Sequence, residues 1–419
     1  MTFPETEILT SLVRRVFRID DITLGEPRSF LVRYRGHLLS EDSVAAYDQL
    51  AGALEPYQIT PLFRRDQGAH VILLVPSLPP AKPSRAWVNV VLFLLTVFSV
   101  MLAGAQPSEA LPADTLGQIT VLLRNILSGW PFALSLLGIL LAHEFGHYLM
   151  SRHHRTPATL PYFIPLPFSP LGTLGAAIVM KGTPKNTRVL FDIGVAGPLA
   201  GLIVAIPVLW IGLRLSALGP VDNVLYPAVQ PGQPTYCASP KFQADGRYTC
   251  VGDNSLEGNS VLYLGMKYLR FGRLLPAPAD YQGQSPVAYW IRYFFTGGPI
   301  PMGGTDVFID PVAFAGWAGL LVTALNLLPA GTLDGGHVVY SLFGEKAGKA
   351  FPFILLFLVM FGFFWMGWWL WAVLLLWLGR VHAQPLDQIT TLDPGRRALA
   401  VAVILIFLVV FAPVPFVTF

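Results

Sequence analysis

Residues 130–147 read WPFALSLLGILLAHEFGH. From Trp130 to Ala142 there is no charged side chain, and then His143, Glu144 and His147 arrive within five positions. Histidines at i and i+4 fall on one helix face, one turn apart, so both imidazoles can reach one metal ion. The glutamate between them is where a zinc hydrolase needs its general base. The bland alternative is a pair of histidines capping a helix at a headgroup region. Ionisable groups at the edge of an apolar span are costly and are usually paired or metal-bound, which favours the metal.

The 419 residues are 53% AVILMFWYC and only 13% charged, with a mean hydropathy of +0.56. Soluble domains carry about 25% charge, so the chain is expected to be a polytopic membrane protein. A formal charge of +3 is too small to point to nucleic acid. The opening MTFPETEILTSLVRR has no short apolar stretch behind a basic start and carries early glutamates. It therefore reads as neither a signal peptide nor a transit peptide, and a bacterial or archaeal plasma membrane is the expected setting.

Residues 1–80 are not membrane-like. Helical spacing over Glu7–Phe17 and Asp42–Leu54 alternates with strand-like runs at Ser29–Tyr34 and Ala69–Val75, which predicts a small soluble α+β domain. Residues 81–86 close a turn-rich linker, and 87–415 form the membrane-embedded part. A span needs about 20 mostly apolar residues. Candidates are 87–104, 130–150, 189–213, 311–329, 351–378 and 398–414, with 351–378 readable as one tilted helix or two short ones. That makes six or seven spans. Lys82, Arg85, Arg152, Arg155, Lys181, Lys185 and Arg188 cluster at matching ends. By the positive-inside rule those ends, the N-terminal domain and the HEFGH motif are cytoplasmic, and 214–310 is extracytoplasmic. Cys237 and Cys250 would then share an oxidising compartment, where a disulfide is permitted.

Catalytic zinc takes three protein ligands and leaves one position open. The strongest third ligand is Asp334, in NLLPAGTLDGGH (326–337), where Pro329 and Gly331 break a span. An aspartate on broken helix inside a membrane must line a cavity or bind something. His337, three residues on, is its rival. Gly197 and Gly201 form a small-x-x-x-small pair that lets helices pack closely. It is expected to bring the third span against the HEFGH helix. Asp192 on that span is expected to make a structural hydrogen bond, and His153 and His154 are expected at the interface.

HEFGH on one span and NLLPAGTLDGGH on another resemble the two signatures of the site-2 protease family of intramembrane zinc metalloproteases. FDIGVAGPLAG (191–201) and GTLGA (172–176) resemble further segments of that family. The extended N-terminal region is most similar to the branch named for the ethylene-dependent gravitropism-deficient and yellow-green proteins. The resemblance covers roughly residues 85–415. It implies Zn²⁺ held by His143, His147 and Asp334, Glu144 as catalytic residue, and Asn326 as a substrate-orienting or oxyanion group. It also implies a short re-entrant β-hairpin near 171–180, in which Gly172, Thr173, Leu174 and Gly175 pair with an extended substrate strand. The implied activity is hydrolysis of peptide bonds in or near transmembrane segments of membrane-protein substrates, in regulated intramembrane proteolysis. A metal transporter using the same His/Asp site, or a zinc-stabilised membrane chaperone without turnover, are the competing functions. Glu144 beside the first histidine argues against both.

Overall fold

The computed structural model describes residues 5–25, 30–66, 68–77, 85–107, 114–222, 225–226, 240–242, 247–250, 255–281, 283–378 and 384–418. The expected linker at 81–86 falls largely outside these residues, as does any Cys237–Cys250 pairing.

The N-terminal region runs α1 (Thr6–Arg14), β1 (Phe17–Leu24), β2 (Val32–Leu38), α2 (Ser43–Leu54), β3 (Ile59–Asp66) and β4 (Ala69–Pro76). The four strands make one antiparallel sheet in the order β1-β2-β4-β3. Two strands lay outside the sequence expectation. β1 (FRIDDITL) is a mostly exposed edge strand, so it lacks an apolar alternation. β3 carries Pro61, which an edge position tolerates. Asp42 caps α2 by accepting the amides of Val44 and Ala45 at 3.1 Å. Leu9, Val13, Tyr34, Leu50, Phe63 and Ile72 form the core, and Ile389 from near the far end of the chain is packed into it.

Among the described residues, three helices are long and apolar enough to cross a membrane. They are α3 (Ala86–Ala103); α5 (Trp130–His153) with the 3₁₀ turn before it; and α6 (Thr187–Leu215). Between α3 and α5 lies the short α4 (Thr115–Arg124), and between α5 and α6 the strands β5 (Tyr162–Pro165) and β6 (Thr173–Ala177). The outer face of α3 leaves Trp87, Val90, Leu94 and Phe98 exposed, a continuous apolar stripe that suits lipid.

Beyond α6 come β7 (Ala217–Pro220), β8 (Leu225–Tyr226), β9 (Pro240–Phe242), β10 (Tyr248–Cys250) and β11 (Ser255–Glu257). They are followed by α7 (Val261–Phe271), α8 (Pro286–Thr296) and β12 (Thr305–Phe308). The chain then enters α9 (Pro311–Asn326) and α10 (Asp334–Phe343), continues through α11 (Phe351–Phe361), α12 (Gly367–Leu378) and α13 (Pro394–Val410), and ends at β13 (Phe416–Thr418). Residues 351–378 are therefore two helices. Gly362 sits against the Trp369 indole, whose Nε1 donates to the Val359 carbonyl at 3.1 Å, closing a helical hairpin. β7 pairs with β12 and β11 with β13 at the end of the bundle where α6 and α13 finish and α9 begins.

α5 and α6 run antiparallel, with Gly146 at the Ala196 carbonyl and Gly201 at His143. α9 runs antiparallel to α6, with Gly212 at Ala313 and Gly316 at Leu209. The end of α5 after the histidines, the start of α6 and the N-terminal region therefore share one face. The attachment is a threaded strap. Residues 384–391 lie between β3 and the lead-in to α6, bridging Phe63 to Asp387 and Asn186 to Asp387 in parallel sense. Phe63 donates to the Leu386 carbonyl at 2.9 Å, and Asp387 donates to Lys185 at 2.9 Å. The Arg64 guanidinium donates to the carbonyls of Phe63, Pro385 and Leu386 at 2.8–3.0 Å, and Lys185 pairs with Asp48. Asp387 is fully buried and accepts from Ile389 and Thr390 amides. Burial pushes its carboxyl above the ordinary range.

A hydrogen bond from a charged donor contributes about 1.5–3 kcal/mol. Arg64→Ala is therefore expected to raise hydrogen-exchange rates at the Phe63 and Leu386 amides by about tenfold or more while α5 and α6 keep their protection. Unchanged exchange at those amides would show that the strap holds without the guanidinium.

Candidate metal centre

The metal-binding candidates come from two separate stretches of chain. His143 and His147 lie on α5, one turn apart and buried. Asp334 is the first residue of α10. It reaches them because α9 stops at Asn326 and the chain turns through Leu327–Leu333, with Gly331 at φ +57°. The two glycines after Asp334 fit this turn. A Cβ on Gly335 would lie 2.0 Å from the Leu327 carbonyl, and one on Gly336 2.4 Å from that of Gly331. The LDGG sequence thus lets a helix start directly beneath the end of the previous one.

The geometry of the donors is specific. His143 Nε2 lies 3.3 Å and His147 Nε2 3.2 Å from Asp334 Oδ2, and the two ring nitrogens are 3.2 Å apart. Four donors at about 2.0–2.1 Å from zinc form a tetrahedron with edges of roughly 3.3 Å. The triangle therefore fits three corners of a zinc site and leaves the fourth open. His147 Nδ1 lies 2.7 Å from the Ile193 carbonyl, which accepts its proton and leaves Nε2 as a lone pair for metal. His337 is buried beside Gly194 and lines the same cavity, but it stands outside the three-donor cluster.

α6 contributes space. A Cβ on Gly197 would sit 2.0 Å from His147 Nε2, and one on Gly201 3.3 Å from the His143 ring. The pair does more than allow close packing, because Gly197 makes room for a ligand side chain. Asp192, nearer the start of α6, accepts two bonds from Arg396 of α13 at 2.7 Å and lies 2.9 Å from His154 Nε2. This bidentate pair ties α5, α6 and α13 together at the membrane face. Sequence reading assigned Asp192 a structural bond but missed Arg396, whose partner lies some two hundred positions away.

Around the donors is a cavity of about 430 Å³. Glu144, 4% exposed, lines it with Asn326, whose Nδ2 lies 3.4 Å from His143 Nε2. One wall is Ala176, Ala177, Ile178, Val179 and Met180, and the Ile178 amide faces the Glu144 carboxylate. β5 and β6 pair as an antiparallel hairpin, as the resemblance implied. The residues expected to meet substrate, however, lie at the far end of β6. Gly172, at φ +70°, is wedged against the Ser99 and Val100 backbone of α3, and the Ser99 hydroxyl donates to its carbonyl at 2.6 Å. The Thr173 hydroxyl donates to the Ile164 carbonyl at 2.8 Å, Leu174 is 68% exposed, and none of 172–175 lines the cavity. Docking on α3 holds the turn away from the donors, and the strand reaches them only at Ala176.

Gly197→Ala is expected to displace the His147 ring and reduce bound zinc from about one per chain to near zero, measured by atomic absorption on purified protein. Gly138→Ala, on the same α5 but with open space at its Cβ, should leave zinc content unchanged. Full zinc occupancy in the Gly197 variant would remove this role from α6.

Comparison with known proteins places these features in a family. The relatives include two described as probable zinc metalloprotease EGY1, chloroplastic. The one from Oryza sativa subsp. japonica is 29% identical over 80% of this chain and 51% of its own length. The one from Arabidopsis thaliana is 29% identical over 78% of this chain and 53% of its own. A probable zinc metalloprotease EGY2, chloroplastic, from Arabidopsis thaliana is 26% identical over 98% of this chain and 65% of its own. The chain thus spans about half the length of the EGY1 relatives. All three are described as chloroplastic, which gives no support to the bacterial or archaeal plasma membrane expected from the N-terminal sequence. No solved structure matches. A family model described as peptidase family M50 matches residues 131–366, more than half of the chain and running from the start of the histidine helix through the aspartate turn to the α11–α12 hairpin. The chain belongs to peptidase family M50.

Proposed function

We propose that this protein is an intramembrane zinc metalloprotease that hydrolyses peptide bonds in or near transmembrane segments of other membrane proteins. The observation that carries this is the convergence of His143, His147 and Asp334 on one open-cornered site with buried Glu144 beside it. Bound zinc would supply Lewis acidity, which acidifies water and polarises a carbonyl. Glu144 accepts the proton of the attacking water and returns it to the leaving amine. The Ile178 amide orients the Glu144 carboxylate toward the cavity. The Asn326 amide donates to the oxygen that gains charge in the transition state.

A helical peptide bond is inaccessible to attack because its carbonyl is already bonded and shielded by side chains. Residues 176–180 supply the remedy in this reading. The hairpin edge beyond β6 offers backbone groups to a substrate stretch that has unwound, replacing the bonds it loses. Regulated proteolysis of single-span or partly released proteins is the use proposed for this site. The shorter helices α9 and α13 and the α11–α12 hairpin complete the six-segment membrane part with α3, α5 and α6. The N-terminal domain and the metal site face the same side, the one carrying Arg152, Lys181, Lys185 and Arg188. This is the cytoplasmic side or its topological equivalent.

Reconstitution with a single-span substrate tests the reading. Glu144→Gln is expected to lower cleavage by about 10²–10⁴-fold with zinc retained. Unchanged cleavage would remove Glu144 from the chemistry, and zinc flux into vesicles would favour transport instead. Asn326→Ala is expected to lower kcat by about 10²-fold or more with little change in KM. A loss confined to KM would assign Asn326 to substrate binding alone.

A further inference from the structure

A second cavity, of about 700 Å³, lies on the same face as the metal centre, where the N-terminal domain meets the membrane part. Four elements line it: β3, the first residue of α6 (Thr187), the C-terminal half of α10 with the turn after it, and the lead-in and first turn of α13. The volume is in the range of about 300–1,000 Å³ common for small-ligand sites. Its lining is rich in donors. Arg65, Lys346 and Arg397 come from three of these elements, against the single carboxylate of Glu345. Arg65 spends one N–H on the Ile389 carbonyl at 3.0 Å. Lys346 and Arg397 make no side-chain hydrogen bond or ion pair among the described residues. The Ser341 hydroxyl is an independent pointer. Ser341 is 7% exposed and lines the cavity, and its Oγ has no hydrogen-bond partner. A buried hydroxyl left unsatisfied costs about 1–3 kcal/mol, a cost that an acceptor in the cavity would offset.

Guanidinium forks, an ammonium and hydroxyls make the donor set that recognises phosphate oxygens. A cationic ligand would meet a net positive wall. We infer that this cavity binds a phosphate-bearing anion, either the headgroup of an anionic lipid or a soluble phosphate. Its level in the molecule suits both. α13 enters the apolar layer within a turn, with Leu399 and Val401 exposed, and Phe343 on the cavity rim is 58% exposed, as an acyl chain would require. The other wall belongs to the N-terminal domain. An anion bridging Arg65, Lys346 and Arg397 would hold α10 against that domain. α10 begins with Asp334, so occupancy would bear on where the third metal donor stands.

The test uses the purified full chain and measures binding, so it is independent of proteolysis and can be run in the Glu144→Gln variant. Retention of phosphatidylglycerol over phosphatidylcholine is read by native mass spectrometry, and inorganic phosphate binding by calorimetry. Lys346→Gln with Arg397→Gln is expected to weaken binding about tenfold or more. Arg14→Gln with Arg15→Gln, which removes the same charge outside the cavity, should not. Ser341→Ala replaces a hydroxyl without a partner, leaves the fold intact, and should weaken binding several-fold. Retained phosphatidylglycerol assigns the site to a lipid headgroup, and binding of inorganic phosphate assigns it to a soluble anion. If neither binds, or if the cavity and control variants behave alike, the inference is overturned.

Discussion

Three side chains that can share a metal ion, with Glu144 beside them, converge inside a largely apolar bundle, and much of the architecture follows from that constraint. An isolated ionisable group in such surroundings is expensive, so His143, His147 and Asp334 are tolerable only together. Bringing them together requires two helices at very close approach and a third that starts abruptly. Gly197 removes the side chain that would occupy His147's position. Gly335 and Gly336 let α10 begin under the end of α9. Ile193 accepts the outer proton of His147 and fixes which nitrogen faces inward. In a membrane there is little hydrophobic force to draw helices together, so fit and buried polar contacts must do it. The metal centre is therefore also a packing element.

Among the described residues, non-helical backbone lies against the apolar helices beside the metal donors in two segments, and both obey the same rule. Irregular chain within the apolar layer is tolerated only where it is buried in protein or lines a cavity. The α9–α10 turn does the first and delivers Asp334. The β5–β6 hairpin does both. One end is fastened to α3 through Ser99 and Gly172, and the other lines the site through Ala176–Met180. Fastening one end and exposing the other yields a fixed strand edge beside the metal donors.

The N-terminal domain is built into the same assembly. Residues 384–391 complete its core with Ile389 and extend β3 by backbone bonding, while their other edge meets the start of α6. The strap leads directly into α13, whose Arg396 grips Asp192 of α6. A continuous set of contacts thus runs from the N-terminal sheet to the helix that shapes the His147 pocket. Domain and membrane part are joined by the backbone bridges of this strap and by the Lys185–Asp48 ion pair.

The sequence by itself determined the class of molecule, the helix bearing two donors, and the broken segment bearing the third. These are local facts: charge scarcity, i,i+4 spacing, and proline and glycine where a helix must stop. It also placed the N-terminal α+β region and a short apolar strand segment. It did not show β1, because an exposed edge strand has no apolar alternation to read, or β3, where Pro61 interrupts the strand signal. It put the substrate edge at Gly172–Gly175, because glycines mark a turn but do not say what the turn packs against. Only the tertiary structure decided that Asp334 rather than His337 joins the histidines, and that the edge beside them is 176–180. It alone revealed that Gly197 shapes the site and that Arg396 pairs with Asp192. Each depends on residues far apart in the chain meeting in space, and no spacing along one helix or strand encodes that.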